Sequence, residues 1–303
     1  MSFLALFAAL LLGHYQPLAQ PDWLQKLFCP YAAMLEQRFN DGRKKHGVIA
    51  WMLAALLPVI VIGAIYIVLL SASTLLGAMF SILVLYFTLR FGRLGELPEQ
   101  IATQLRDHNL QAARQLLADW QKCDTQAYSA AEVSRVGIET TLRRAHHILI
   151  APIFWFLLLG PAGALLYRLS HALQSECLAD QAKFGGFAQR AFDWLDWLPA
   201  RFTAGCFAVV GDFEDAVYCW RTQAAGWPDQ ALGIVLSSGA GALGVRLGEP
   251  LPCKGVLEFR PELGTGDEAD ADYLLSATGL VWRALVLILG LLLLLTFAHW
   301  LGT

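Results

Sequence analysis

The chain has 303 residues, 56% of them hydrophobic and 16% charged, with a net charge of −3 and a mean hydropathy of +0.49. A soluble domain carries roughly 25% charged residues, so this is the composition of an integral membrane protein. The slight negative charge excludes a global basic field for nucleic acid. The six cysteines (29, 123, 177, 206, 219, 253) lie far apart, with no C-x-x-C and no His pair at zinc spacing. Reduced, mostly buried thiols are expected, without a disulfide framework or a structural metal.

Met1–Leu12 is apolar but lacks a basic n-region, and His14-Tyr15-Gln16-Pro17 is a poor cleavage site. It reads as a retained first helix. Its apolar part, Ser2–Gly13, falls short of the roughly 20 residues a span needs, which predicts a re-entrant or interfacial helix. Residues 14–46 are polar and carry Lys26, Arg38, Arg43, Lys44 and Lys45. Val48–Leu70 and Leu75–Leu89 are predicted spans, joined tightly by Ser71–Thr74.

Arg90 to His147 reads as a soluble insert. Ile101, Leu105, Leu110, Ala113, Leu116, Leu117 and Trp120 recur at helical spacing, and Asp107-His108-Asn109 interrupts them. Two short amphipathic helices are predicted. This insert and the 14–46 loop flank one helix pair and share an excess of Lys and Arg, which places both in the cytoplasm. Ile148–Leu166 is the next predicted span, with a kink at Gly160-Pro161. Arg168–Arg190 reads as an amphipathic connection. Leu195–Val210 is ambiguous, because Arg201 inside it costs roughly 2.5–3.5 kcal/mol on insertion scales unless it faces a polar cavity. Residues 211–275 read as a mostly polar loop region, and Leu280–Leu301 as the last span. The expected fold is an all-α polytopic membrane bundle of four to six spans. Its expected parts are 1–92, an N-terminal membrane region; 93–147, a cytoplasmic helical insert; and 148–303, a second membrane region containing the polar loop 211–275.

Several constellations carry candidate chemistry. His146-His147 and His171 offer imidazoles, although adjacent helical residues point about 100° apart, and interfacial histidines are the plainer reading. Gly239–Gly244 offers backbone N–H groups to a phosphate, with Gly241 and Gly244 inside it and Arg246 nearby. It lacks the Lys-Ser/Thr of a P-loop, and the plainer reading is a close-packed turn or helix start. Asp193, Asp196 and Arg201 offer a polar site at the membrane surface, with the two Asp at i, i+3 on one helix face. An interfacial salt-bridge cluster is the alternative. The acidic run 267–272 reads as a solvated loop. No G-x-S-x-G or H-E-x-x-H is present, and the residues name no metal set and no cofactor.

Ala151-Pro152-Ile153-Phe154-Trp155, Phe184-Gly185, Asp196-Trp197-Leu198-Pro199-Ala200-Arg201-Phe202-Thr203-Ala204, Gly226-Trp227-Pro228 and Ala242-Leu243-Gly244-Val245-Arg246-Leu247-Gly248 follow in this order. Together they resemble the CobD/CbiB superfamily over roughly residues 110–290. The superfamily contains adenosylcobinamide-phosphate synthase, which forms an amide between adenosylcobyric acid and an aminopropanol (phosphate) using ATP. It also contains AmpE, an inner-membrane protein associated with β-lactamase induction. The synthase carries E-N-T-S-D ahead of its A-P-[LI]-F-W. Here those places read Arg143-Arg144-Ala145-His146-His147, and Glu139 is the nearest carboxylate. Its Asn and Asp of the following helix fall on His171 and Gln174. The short first helix, Arg90-Phe91-Gly92-Arg93 and Arg106–Ala113 look like AmpE.

The expectation is therefore an AmpE-like regulatory protein of the bacterial inner membrane, tied to β-lactamase induction or envelope sensing. Two alternatives stay open. One is the amide-forming ligase, which alone implies ATP and Mg²⁺. The other is a ligand-binding or transport protein with a polar cavity around Arg201. Expected partners are the lipid bilayer and a small-molecule ligand, with self-association into a homo-oligomer left open and nucleic acid excluded. The candidate ligand-binding residues are Asp193, Asp196, Arg201, Gly241, Gly244, Arg246, His171 and Glu139; no catalytic residue is assigned.

Overall fold

A computed structural model describes residues 2–15, 27–39, 48–49, 51–89, 94–177, 185–253 and 256–302. The chain is an all-α membrane helical protein, apart from one two-stranded ribbon. Among the described residues, three helices are long and apolar enough to cross a membrane: Met52–Ala72, Ala130–Leu159 and Ala271–Ala298. In the first, only 11% of the most apolar window is buried, and Ile60, Ile67 and Val68 are about two-thirds exposed. A continuous apolar face of this kind is unstable in water and stable in hydrocarbon, where a helix satisfies its own backbone. The basic residues Lys26, Arg43, Lys44, Lys45, Arg90 and Arg93, and Phe184 of the resemblance, lie outside the described residues.

The described chain divides into two compact units, 1–92 with 147–199, and 93–146 with 200–303. In the first unit, α1 (Ser2–Tyr15) packs on α4 (Thr74–Thr88), which pairs with α3 (Met52–Ala72) across Ser73. Ser73 leaves the helical region and caps α4 by accepting from the Leu75 N–H, the usual service of an N-cap hydroxyl. α2 (Cys29–Phe39) contributes Ala32 and Leu35 to a core with Ala54, Ala55, Leu165 and Leu169. Cys29 is disulfide-bonded, against the expectation of reduced thiols throughout; the absence of C-x-x-C spacing says nothing about cysteines that meet through tertiary packing.

The predicted span Ile148–Leu166 is not one helix. α8 (Ala151–Leu159) stops at Gly160, whose φ of 66° and ψ of −156° lie outside the helical region, and α9 (Pro161–Ala172) restarts with Pro161 at its first position. The apolar run belongs instead to a helix that enters from Ala130 and ends at Leu159, so the expected border near 147 falls inside helix. Leu195–Val210 forms part of α10 (Gly185–Val210), which carries Pro199 internally.

In the second unit, α5 (Glu96–Arg106) and α6 (Leu110–Gln121) are the two predicted amphipathic helices. They are separated at His108, whose φ is 58°, and Asn109 caps α6 through the Ala112 N–H. α7 (Ala130–Ala145) opens on a capping box, with the Ser129 and Glu132 side chains each holding the other's backbone N–H. Such reciprocal capping fixes where a helix begins.

The expectation of a loop across 211–275 is corrected. α11 (Phe213–Gln223) and α12 (Gln230–Leu243) occupy much of it, capped by Asp212 and Asp229. β1 (Leu251–Cys253) pairs antiparallel with β2 (Val256–Glu258), Leu251 opposite Glu258. α13 (Ala271–Gly302) closes the chain and packs on α5 and α7.

Candidate functional site

The capping box sets the register of α7, and the register sets what one of its faces carries. Val136, Glu139, Thr140 and Arg143 fall at i, i+3, i+4 and i+7, a single stripe of a helix. That stripe lines a cavity of about 140 Å³, together with Gln121 at the end of α6, Cys123 just after it, Trp227 and Leu232 at the entry to α12, and Arg260.

Glu139 is buried, and both its carboxylate oxygens are hydrogen-bonded. Arg260 grips it as a fork, Nη1 to Oε2 at 2.7 Å and Nη2 to Oε1 at 3.2 Å. The Gly248 N–H donates to Oε1 at 2.9 Å. Arg260 also donates to the carbonyls of Gly248 and Glu249, at 3.2 and 3.3 Å, and lies 5.5 Å over the Trp227 ring. Planarity suits a guanidinium to both the carboxylate fork and the aromatic face. Gly248 cannot be replaced in this turn: its φ is 77°, and a Cβ there would stand 2.0 Å from the Pro261 carbonyl oxygen. Glu249 in turn holds Arg135 Nη1. On the same stripe Thr140 donates to the Val136 carbonyl at 2.7 Å and accepts from the Gln121 amide.

A second polar group forms in the other unit. The Tyr167 hydroxyl donates to Asp196 Oδ1 at 2.7 Å and sits 2.9 Å from His147 Nδ1. With its one proton given to Asp196, Tyr167 takes the His147 bond as acceptor. His171 stacks at 4.6 Å from His147, and the Phe192 ring lies 5.3–5.7 Å from His147, Tyr167 and His171. His146, by contrast, bonds Thr203 Oγ1 at 2.8 Å, so the adjacent histidines serve different partners.

The predicted residues separate accordingly. Glu139 lines the cavity, whereas Arg201, Gly241, Gly244 and Arg246 do not. Asp196 and His171 meet around Phe192. Asp193 does not join them: it is exposed and accepts from Gln189 at 2.8 Å. The i, i+3 offset turned one carboxylate inward to Tyr167 and left the other at the surface.

Gly239–Gly244 is corrected from a candidate phosphate loop or helix start to a helix end. Gly244 caps α12 with φ 66°, and the Val245 N–H bonds the Ala240 carbonyl. A helix C-terminus presents carbonyls and the negative end of its dipole, the reverse of an anion cradle. Gly241 serves close packing, since a Cβ there would lie 2.4 Å from the Asp215 carbonyl oxygen. Arg246 is exposed, with its N–H bound to the Asp267 carbonyl.

These residues do not fit a magnesium–nucleotide either. Glu139 is spent on Arg260, and the glycine run offers no free N–H array. Sequence reasoning missed Arg260, Thr140 and Tyr167. Only the i, i+4 pair Glu139 and Arg143 signalled that α7 has a polar inner face.

A family profile described as "CobD/Cbib protein" matches residues 2–281. A "Cobalamin biosynthesis protein CobD" of Stutzerimonas stutzeri is 37% identical over 99% of this chain and 98% of that protein. One from Chromobacterium violaceum is 36% identical over 63% of this chain and 62% of that protein. One from Mycobacterium tuberculosis is 33% identical over 55% and 56%. No solved structure matches the chain. These names overturn the expectation of an AmpE-like regulator tied to β-lactamase induction.

Proposed function

Because the chain belongs to the CobD/CbiB family, we propose that it acts in cobalamin biosynthesis as an amide-forming enzyme of the adenosylcobinamide-phosphate synthase type. The observation that carries this reading is the whole-length similarity to the Stutzerimonas protein named for that pathway. The chemistry joins a corrinoid carboxylate to the amine of an aminopropanol (phosphate), forming a C–N amide bond with net loss of water. In the family the reaction is driven by ATP.

The proposed setting is the bacterial inner membrane, crossed several times, with the basic segments 14–46 and 93–147 on the cytoplasmic side. The bilayer is the structural partner, and the corrinoid and the amine are the small-molecule partners.

Complementation tests the reading. Expressed in a synthase-deficient strain that requires cobalamin and is fed cobyric acid, the chain should restore growth. Lack of growth, with the protein detected in the membrane fraction, removes the named reaction.

A further inference from the structure

We propose that the cavity beneath α7 is an oxyanion-binding site with Arg143 as its cation, taking the carboxylate or phosphate end of a small molecule. The inference stands on the cavity and does not rest on the cobalamin reading.

Charge bookkeeping leads to it. The cavity and the residues bonded to it hold three cations, Arg135, Arg143 and Arg260, and two carboxylates, Glu139 and Glu249. Two of the cations are spoken for. Arg135 is bonded to Glu249, and Arg260 is committed to Glu139 and two backbone carbonyls. Glu139 already accepts two bonds from Arg260 and one from the Gly248 N–H. Arg143 is exposed within the cavity wall and makes no hydrogen bond or ion pair with the described residues. One positive charge is left over, on a planar fork of donors that matches carboxylate and phosphate geometry.

Its position argues in the same direction. Arg143 stands on the α7 stripe that lines the cavity, beside the Thr140 hydroxyl and the Gln121 amide. The neighbouring Glu139–Arg260–Gly248 network fixes the wall, as preorganised recognition requires. Size sets the ligand class. A space of about 140 Å³ admits a small anion or the anionic end of a longer molecule.

Cys123, which forms no disulfide, lines the same cavity and reports on occupancy. The full chain is placed in phosphatidylcholine nanodiscs. The rate of N-ethylmaleimide labelling of Cys123 is followed by peptide mass spectrometry, with inorganic phosphate or acetate added at constant ionic strength. A third arm uses nanodiscs containing phosphatidic acid, which separates a lipid headgroup from a free anion.

Labelling should slow saturably, about tenfold when the probe stands near ten times its Kd. R143Q should abolish the saturation, while R143K, which keeps the charge and loses the fork, should weaken it. If R143Q proves poorly folded, R143K carries the test: a rightward-shifted but saturable curve supports the site. Protection only by phosphatidic acid supports it with a lipid as the source. Unchanged labelling in all three arms, or protection of R143Q or R143K with the wild-type concentration dependence, overturns it.

Discussion

Replacing Glu139 by alanine tests the network on which the cavity is built. The substitution removes the carboxylate that Arg260 holds at 2.7 and 3.2 Å and leaves a guanidinium whose side chain is only 14% exposed. Breaking a buried pair by deleting one partner costs about 3–5 kcal/mol, because the other charge stays behind. The unit that contains it has about 160 residues, for which each kcal/mol shifts a melting midpoint by roughly 2–4 °C. E139A should therefore melt roughly 6–20 °C below wild type, read by intrinsic fluorescence in one detergent at one scan rate. Replacing both partners with apolar residues, E139L with R260M, should recover most of the loss, since no buried charge is stranded. An E139A midpoint within about 2 °C of wild type, or a double variant less stable than E139A, would refute the reasoning.

Gly241→Ala would press a Cβ to 2.4 Å from the Asp215 carbonyl oxygen and should cost about 1–3 kcal/mol as α11 and α12 are forced apart, measurable as a lowered melting midpoint. Tyr167→Phe deletes the hydroxyl between His147 and Asp196 and should cost about 1–3 kcal/mol in the same assay, whereas Asp193→Asn at the surface should change little. Burial pushes the Cys219 thiol above its usual value of 9.0, with its contact to Thr265 working the other way. A raised folded-state value means that the stabilisation is complete below about pH 9 and is lost as pH climbs through the higher folded value. Melting should thus decline faster with alkaline pH in wild type than in C219A, and iodoacetamide should leave Cys219 unmodified at pH 8 until the protein unfolds.

How much of this was legible in the sequence depended on whether the signal was local. The break between α5 and α6 at Asp107-His108-Asn109 and the interruption at Gly160-Pro161 were legible, because turn and breaker chemistry acts within a few residues. The capping residues Ser129, Asp212 and Asp229 were equally local, yet α7, α11 and α12 were passed over because their polar caps and glycines resembled loop composition. Gly239–Gly244 is the clearest case: glycines that let α12 approach α11 looked like a turn. The pairing of Glu139 with Arg260 spans 121 positions, and no periodicity announces a contact of that kind. The same holds for Tyr167 with Asp196, whose helices are separated by residues 178–184, outside the described chain.

The regulator reading failed for a related reason. Five changed positions, Arg143–His147, are local and conspicuous, whereas the likeness to proteins named for cobalamin biosynthesis runs along the whole chain. The geometry also recasts the changed stretch. Arg143 lines the cavity beside Glu139, so the stretch still contributes a polar wall.

The central claim is that this CobD/CbiB relative forms an amide on a corrinoid. The direct measurement is mass spectrometry of corrinoids after membranes from expressing cells are incubated with adenosylcobyric acid, aminopropanol phosphate, ATP and Mg²⁺. The account predicts a new corrinoid heavier by the amine minus one water, absent from membranes of cells lacking the chain. Quantitative recovery of unmodified adenosylcobyric acid, with the chain present and folded, would contradict it.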